Sequence, residues 1–243
     1  GPDKTVPTPP EDWRQAKVDV VIPTLNEETN IAFCLEGLAR QTLKPRRIML
    51  IDDGSKDRTV EFARDFCKAN GMEITIIERS APIGKTPTLK RQARELDSDV
   101  EFILDSDTIL ESPNYIERAV EELYKAVGIA SACGTVQSLR YRDRTDMLPQ
   151  PGMKNFLALQ PDAPMYPQKT AMERLQMAIS SLYRDSLYTF LQKFVYRGQM
   201  TFFGSISHPV GCAVAYRRKY IEELFAHYEP ILDFIHALCY VYA

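Results

Sequence analysis

The chain has 243 residues, 44% hydrophobic and 26% charged, which suits one α/β domain or a domain with an appended lobe and excludes wholesale disorder. Thirty Lys and Arg against 33 Asp and Glu leave a formal net charge of −3, so the chain carries no electrostatic footprint for nucleic acid, and no nucleic-acid partner is expected. An anionic ligand must then be held by a local site or by a metal. The five cysteines, at 34, 67, 133, 212 and 239, contain no Cys-x-x-Cys pair and predict reduced, mostly buried thiols in a cytosolic setting rather than a disulfide framework or a zinc site. No segment reaches the ~18 consecutive apolar residues of a spanning helix. Gly1-Pro2-Asp3-Lys4 lacks the basic and apolar regions of a signal peptide and resembles the scar left by tag cleavage.

Residues 1–16, with Pro2, Pro7, Pro9 and Pro10, predict an extended lead-in. Val18-Asp19-Val20-Val21-Ile22-Pro23 is a β-branched run ending at proline, the pattern of a buried parallel strand. Ile31, Cys34, Leu35 and Leu38 then repeat at helical spacing, followed by a strand over 47–51 that exits through Asp52-Asp53-Gly54-Ser55. Residues 57–69 predict a helix stopped at Gly71, 74–77 a third strand, 86–96 a third helix, and 100–104 a fourth strand running into Asp105-Ser106-Asp107. Ser112-Pro113 opens a further helix, with serine as cap and proline at its first position. After Thr135 the alternation weakens. Residues 141–168, rich in proline, charge and methionine, predict a mobile loop or insertion, and Met172 to Arg197 returns to helical spacing. In that helix Met172, Met177, Phe190, Phe194 and Tyr196 are expected to pack. Phe202 to Tyr216 reads as a loop entering a strand, and the apolar segment from Ile231 to Ala243 as a core helix rather than an interfacial one or the start of a membrane segment.

Strand–helix alternation of this kind gives a mostly parallel sheet with helices on both faces, and such sheets bind ligands at the carboxyl ends of their strands. Three strands here end in polar sequences at one rim: Pro23-Thr24-Leu25-Asn26-Glu27, Asp52-Asp53-Gly54-Ser55 and Asp105-Ser106-Asp107. Carboxylates on alternate residues, as at Asp105 and Asp107, suit a hard divalent cation that bridges phosphates, although an isolated pair is more often a turn or a cap. Asp52 and Asp53 are ordinary strand-exit residues that also suit hydrogen bonds from a base or ribose. Each signal is weak alone; their order and spacing together are strong.

Val-Val-Ile-Pro-Thr-Leu-Asn-Glu, Ile-Asp-Asp-Gly-Ser-Lys-Asp-Arg-Thr and Leu-Asp-Ser-Asp-Thr resemble the inverting family 2 glycosyltransferases of the GT-A fold, and Ile83-Gly84-Lys85 with Leu89 and Arg91 is similar to a further family segment. The resemblance spans roughly residues 17–135, making that part a nucleotide-sugar-binding half and 136–243 the acceptor-side half of the same domain. It implies that Pro23, Thr24 and Glu27 line a nucleotide pocket and that Asp53, with Asp52, contacts the base. Lys85 would lie near the base or pyrophosphate, Asp105 would face the sugar and ribose, and Asp107, with Asp105, would hold Mn²⁺ or Mg²⁺. For Lys85 and Arg91 a solvated helix charge is nearly as good a reading. A looser match at Gly211-Cys212-Ala213-Val214-Ala215-Tyr216-Arg217-Arg218 resembles the acceptor segment of membrane-associated polysaccharide synthases, placing His208, Gly211 and Arg217 on the acceptor side.

The family's Glu-Asp or Asp-Asp pair after the acceptor segment, and the Gln-x-x-Arg-Trp of its processive members, do not occur: the acids after Arg218 are Glu222, Glu223, Glu229 and Asp233, and the single tryptophan is Trp13. Asp233 is the candidate general base, or else an exposed residue of an amphipathic helix. The resemblance implies transfer of a sugar, from a UDP-sugar first, to a carbohydrate or lipid-linked acceptor with inversion, at the cytoplasmic face of the inner or plasma membrane. A membrane surface or a membrane-embedded remainder is the implied neighbour, and the chain reads as a truncated synthase domain. The alternative is a nucleotide-sugar-binding or scaffold domain lacking the base. Nucleotidylyl transfer is disfavoured, because Pro-Thr-Leu-Asn-Glu stands where its Gly-rich phosphate loop belongs.

Overall fold

The structure, a computed structural model, describes residues 12–167, 170–203, 211–221 and 223. His208, Asp233, Cys239, most of the lead-in and the whole of 231–243 lie outside the described residues.

Six strands form one sheet in the order β3-β2-β1-β4-β6-β5: β1 (Val18–Thr24), β2 (Arg47–Asp52), β3 (Thr75–Glu78), β4 (Val100–Leu104), β5 (Ser131–Cys133) and β6 (Ala213–Arg217). Strands β3, β2, β1 and β4 run parallel, while β6 is antiparallel to both β4 and β5. The mostly parallel α/β class expected from the alternation is what forms. Strand β5 was not foreseen, because three half-buried residues are too few to show a period.

Alternate residues of β1 serve two cores, as a strand buried on both faces requires. Val18, Val20 and Ile22 join the larger core beneath α1 (Ile31–Ala39), α2 (Thr59–Asn70) and α4 (Tyr115–Leu123). Val21 faces the smaller core, with Ile51, Ile103 and the Leu89, Ala93 and Leu96 side chains of α3 (Lys85–Glu95) and its end. Gly71 ends α2 as expected: it takes the left-handed conformation (φ 60°) that lacks a Cβ penalty, and its N–H donates to the Cys67 carbonyl. Helix α4 begins later than the Ser112-Pro113 signal suggested, since the Ser112 carbonyl accepts from Tyr115 N (3.2 Å) and from Gln41 Nε2 (2.9 Å).

Two sequence expectations fail in the second half. The segment 141–168 is not a loose insertion: it holds α5 (Tyr141–Met147) and α6 (Pro151–Leu159). Met147, Met153 and Phe156 are buried in the larger core, with Phe156 edge-on to Phe62 at 5.6 Å and tilted against Phe66 at 6.0 Å. The other correction concerns α7 (Ala171–Phe190), which continues through a π-helical stretch (Leu191–Tyr196) into α8 (Arg197–Phe203). Its helical period is real, and Thr170 and Glu173 cap its start reciprocally. No residue of α7 is buried among the described residues, however, and Met172, Phe190 and Phe194 are 64%, 55% and 67% exposed; only Tyr196, of the five expected to pack, is neither exposed nor part of that open face. Periodicity identifies an apolar face but not the surface that covers it.

At the amino end of the sheet Asp19 is fully buried and accepts from Arg46 Nε (2.9 Å) and from Arg47 Nη2 (2.8 Å); both arginines also reach Asp97. Glu101 sits opposite Asp19 in the β1–β4 register, is fully buried, and neither carboxyl oxygen has a hydrogen-bond partner. Burial, with Asp19 beside it and only Arg218 opposing, pushes the Glu101 carboxyl up to about 8. Tyr216, its β6 register partner, completes the surroundings. A folded-state value above the unfolded one means that the native state holds the extra proton. The associated stability is whole below about 4.5 and is lost as pH rises through about 8. The melting temperature is therefore expected to fall between pH 5 and 8.5, for a loss of about 2–4 kcal/mol. Glu101→Gln should flatten that slope in a pH series of thermal melts; an unchanged slope would assign the dependence elsewhere.

Candidate functional site

The carboxyl ends of the parallel strands β1, β2 and β4 meet at one rim, and backbone bonds stitch their exit loops together. Asp53 N donates to the Thr24 carbonyl (2.9 Å), and Ser106 Oγ to the Pro23 carbonyl (3.2 Å). Asn26 adopts a left-handed φ of 55°, which asparagine tolerates better than most residues. Asn26 N donates to Ser55 Oγ (2.8 Å) while its Oδ1 accepts from Lys56 N (2.8 Å), so the β1 and β2 loops brace each other. Glu27 N is held by Thr59 Oγ1 at 2.7 Å.

The two aspartates of the β2 exit act largely on backbone. Asp52 accepts from Gly54 N (3.2 Å) and Ser55 N (3.0 Å), closing a turn in which Gly54 has φ 91°. Asp53 Oδ1 accepts from Ile83 N (2.9 Å) and Arg79 Nη1 (3.2 Å), and its Oδ2 from Gly84 N (2.7 Å). Asp53 thus ties the loop before α3 to the end of β2, and the next residue, Lys85, reaches across to Asp105 Oδ1 at 2.5 Å. Of the two cations with a surface alternative, Lys85 belongs to the rim. Arg91 instead pairs with Glu95 on the exposed face of α3 at 2.7 Å.

Asp105 follows β4, and its N–H donates to the Cys212 carbonyl at 2.8 Å, which brings the Gly211–Cys212 turn to the same rim. Burial pushes the Asp105 carboxyl up, and the Lys85 ammonium pulls it back. Asp107 is exposed. Glu27 is half-buried; desolvation raises its carboxyl, the bond from Asn30 Nδ2 (2.5 Å) lowers it, and the nearby Asp107 charge raises it again. Thr24 Oγ1 is buried without a hydrogen-bond partner.

The rim therefore gathers Pro23, Thr24, Glu27, Asp52, Asp53, Lys85, Asp105, Asp107 and Gly211. It does not gather Arg217. In the antiparallel register Arg217 lies opposite Val100, at the far end of β4. Its guanidinium donates to the Leu123 and Ile129 carbonyls and covers the Tyr124 ring, so the acceptor-side placement from sequence is corrected. A residue missed from sequence stands at the rim in its place: Arg144 of α5, buried, bonded to the Thr29 carbonyl (2.6 Å) and to Asn30 Oδ1. No local pattern marks it, because the two rim partners, Thr29 and Asn30, lie more than 110 residues away in sequence.

A divalent cation fits the chemistry of Asp105 and Asp107. Both offer hard anionic oxygen, and Asp105 already draws the Lys85 ammonium onto one oxygen. Among the described residues no three His, Cys, Asp or Glu side chains form a metal cage. A Mg²⁺ or Mn²⁺ ion commonly binds through one or two carboxylates and completes its sphere with phosphate and water.

Four parallel strands with acidic exits and an antiparallel β6 define a mostly parallel α/β domain with a polar rim at its strand ends. The chain belongs to glycosyl transferase family 2, whose family model matches residues 19–225. Among curated relatives, it is 33% identical over 118 residues to the O-antigen chain rhamnosyltransferase RfbN of Salmonella typhimurium, covering 49% of this chain and 36% of that one. It is 32% identical over 126 residues to the undecaprenyl-phosphate 4-deoxy-4-formamido-L-arabinose transferase of Pectobacterium carotovorum, covering 51% and 37%. The aligned part thus spans little more than a third of the length of these relatives. Among solved structures it is similar to the mannosyltransferase PcManGT from Pyrobaculum calidifontis in complex with GDP-Man and Mn²⁺ (TM-score 0.46, 23% identity, 59% of this chain and 41% of that one).

Proposed function

We propose that this domain moves a sugar from a nucleoside diphosphate sugar, with UDP-sugars the first to try, to a hydroxyl of a carbohydrate or lipid-linked acceptor, inverting the anomeric carbon. The observation that carries the reading is the convergence of three acidic strand exits with Lys85 at one rim, where an α/β sheet binds its ligands. The name of the undecaprenyl-phosphate transferase favours a lipid-linked acceptor and hence a cytoplasmic membrane face. Among the described residues no helix is long and apolar enough to cross a membrane.

In this reading Pro23, Thr24 and Glu27 border the nucleotide, and Asp52 and Asp53 shape its pocket chiefly by holding the two loops that carry Ser55 and Lys85. Asp105 and Asp107 would hold a divalent cation, which when bound neutralises the charge that develops on the departing diphosphate. Gly211, at the rim, would border the acceptor, and His208, outside the described residues, is the sequence's candidate beside it. The acceptor oxygen attacks the anomeric carbon as the bond to the diphosphate breaks, the bonding pair leaves with the diphosphate, and the hydroxyl proton passes to a carboxylate base, for which Asp233 is the candidate.

A thermal-shift panel of nucleoside diphosphates with and without Mn²⁺, followed by sugar-transfer assays, tests the proposal. A ligand at 100 times its Kd stabilises the fold by about 2.7 kcal/mol. The expected result is a Mn²⁺-enhanced shift with at least one nucleoside diphosphate and transfer from the matching sugar donor. No shift with any of them would refute the reading. A shift without turnover would favour a binding domain that lacks the base.

A further inference from the structure

Arg144 is a cation buried to 8% exposure, and such burial is costly unless every donor finds a purpose. Here the guanidinium donates to the Thr29 carbonyl (2.6 Å), to the Met165 carbonyl (3.4 Å) and to Asn30 Oδ1, and it lies over the Phe33 ring with its carbon 5.1 Å from the centroid. Glu27 and Asp107 supply the negative charge around it, opposing the desolvation that would otherwise weaken the cation. Two of these contacts fall on the loop between β1 and α1, the loop that ends one exit of the nucleotide rim.

Asn30 makes the arrangement directional. An arginine can only donate, so Arg144 requires the amide oxygen of Asn30. That choice turns the Asn30 NH₂ the other way, where it donates to Glu27 Oε2 at 2.5 Å. Neither link works with the amide reversed: an NH₂ group would face the guanidinium and an oxygen would face the Glu27 carboxyl. We propose that Arg144 is a positioning residue of the nucleotide site, acting through Asn30 to fix the Glu27 carboxyl at the rim. The proposal rests on the nucleotide-binding reading above and adds a role for α5, a helix of the acceptor-side half. It means that a partly buried hydrogen-bonded chain, Arg144 to Asn30 to Glu27, helps join the two halves of the domain at the pocket.

The test separates pinning α5 from positioning Glu27. Arg144→Met removes the whole chain and keeps the apolar bulk over Phe33. Asn30→Asp keeps, and adds charge to, the Arg144 contact, but an ionised Asp cannot donate to Glu27. Affinity for UDP and for GDP is measured by calorimetry with Mn²⁺, alongside the melting temperature, for the parent and both variants. The expected result is about a tenfold loss of affinity in each variant, a factor of ~1.4 kcal/mol, with Asn30→Asp melting within a few degrees of the parent. If Asn30→Asp binds as tightly as the parent, Arg144 only pins α5 and the proposal is overturned, whatever happens to the folding of Arg144→Met. If the parent binds neither nucleotide, the functional reading fails first and takes the positioning role with it.

Discussion

Replacing Asp107 by Asn should abolish the Mn²⁺-dependent gain in nucleoside diphosphate affinity while leaving metal-free affinity and the melting temperature as they are. Asp107 is exposed at the exit of β4, so its removal costs the fold little. Asp105, two residues earlier, is half-buried and already shared with Lys85. Ser106 between them turns inward to the Pro23 carbonyl, which fixes the backbone that presents both acids. An amide keeps the shape of the carboxylate but lacks the anionic oxygen a hard cation needs. A loss of about 100-fold in the presence of Mn²⁺, or ~2.7 kcal/mol, is the expected scale. Calorimetric titrations of UDP into parent and variant, with Mn²⁺ and with a chelator, make the comparison. If both proteins gain equally from Mn²⁺, Asp107 is not a ligand and the cation, if any, is held elsewhere.

The first half of the fold was legible because its physics is local. A parallel strand buried on both faces must be an apolar run, and β1, β2 and β4 are found where their β-branched and aliphatic residues stand. The acidic exits were legible for the same reason, since each follows such a run directly. What those acids do was less so. Asp53 looks like a ligand residue in sequence, yet three donors from residues 79–84 occupy its carboxylate, and only the folded loop shows it.

The second half depends on contacts that no window of sequence contains. Pro149, Pro151 and Gly152 read as loop punctuation, yet Pro151 occupies the start of α6, where its missing N–H costs nothing. A Cβ on Gly152 would meet the Glu36 carboxyl at 2.0 Å and the Phe66 ring at 3.2 Å, so glycine lets α6 lie against α1 and α2 without displacing either side chain. Arg217 illustrates the same limit. Its position relative to the rim follows from β6 running antiparallel to β4, a fact of topology rather than of motif.

Phe156→Ala should destabilise the protein by about 3–5 kcal/mol, the usual cost of emptying a fully buried aromatic site. Phe156 has no exposed surface, and its ring lies between Phe62 and Phe66 of α2, so its loss leaves a cavity bounded by rigid rings rather than by chain that can collapse. For a chain of this size the melting temperature would fall by roughly 6–20 °C. Leu159→Ala, on the same helix but half exposed, is the control and should change stability by no more than about 0.5–1 kcal/mol. A mobile insertion would show no difference between the two, and equal small effects would refute the packed arrangement of α6. The consequence reaches the nucleotide rim, because α5 is joined to α6 by the short link 148–150 and carries Arg144. Below its melting transition, Phe156→Ala should therefore retain nucleotide binding, since Arg144 is anchored by its own bonds to Thr29, Asn30 and Met165. Binding lost in step with the Arg144→Met variant would instead show that α6 packing, not the guanidinium, holds the loop.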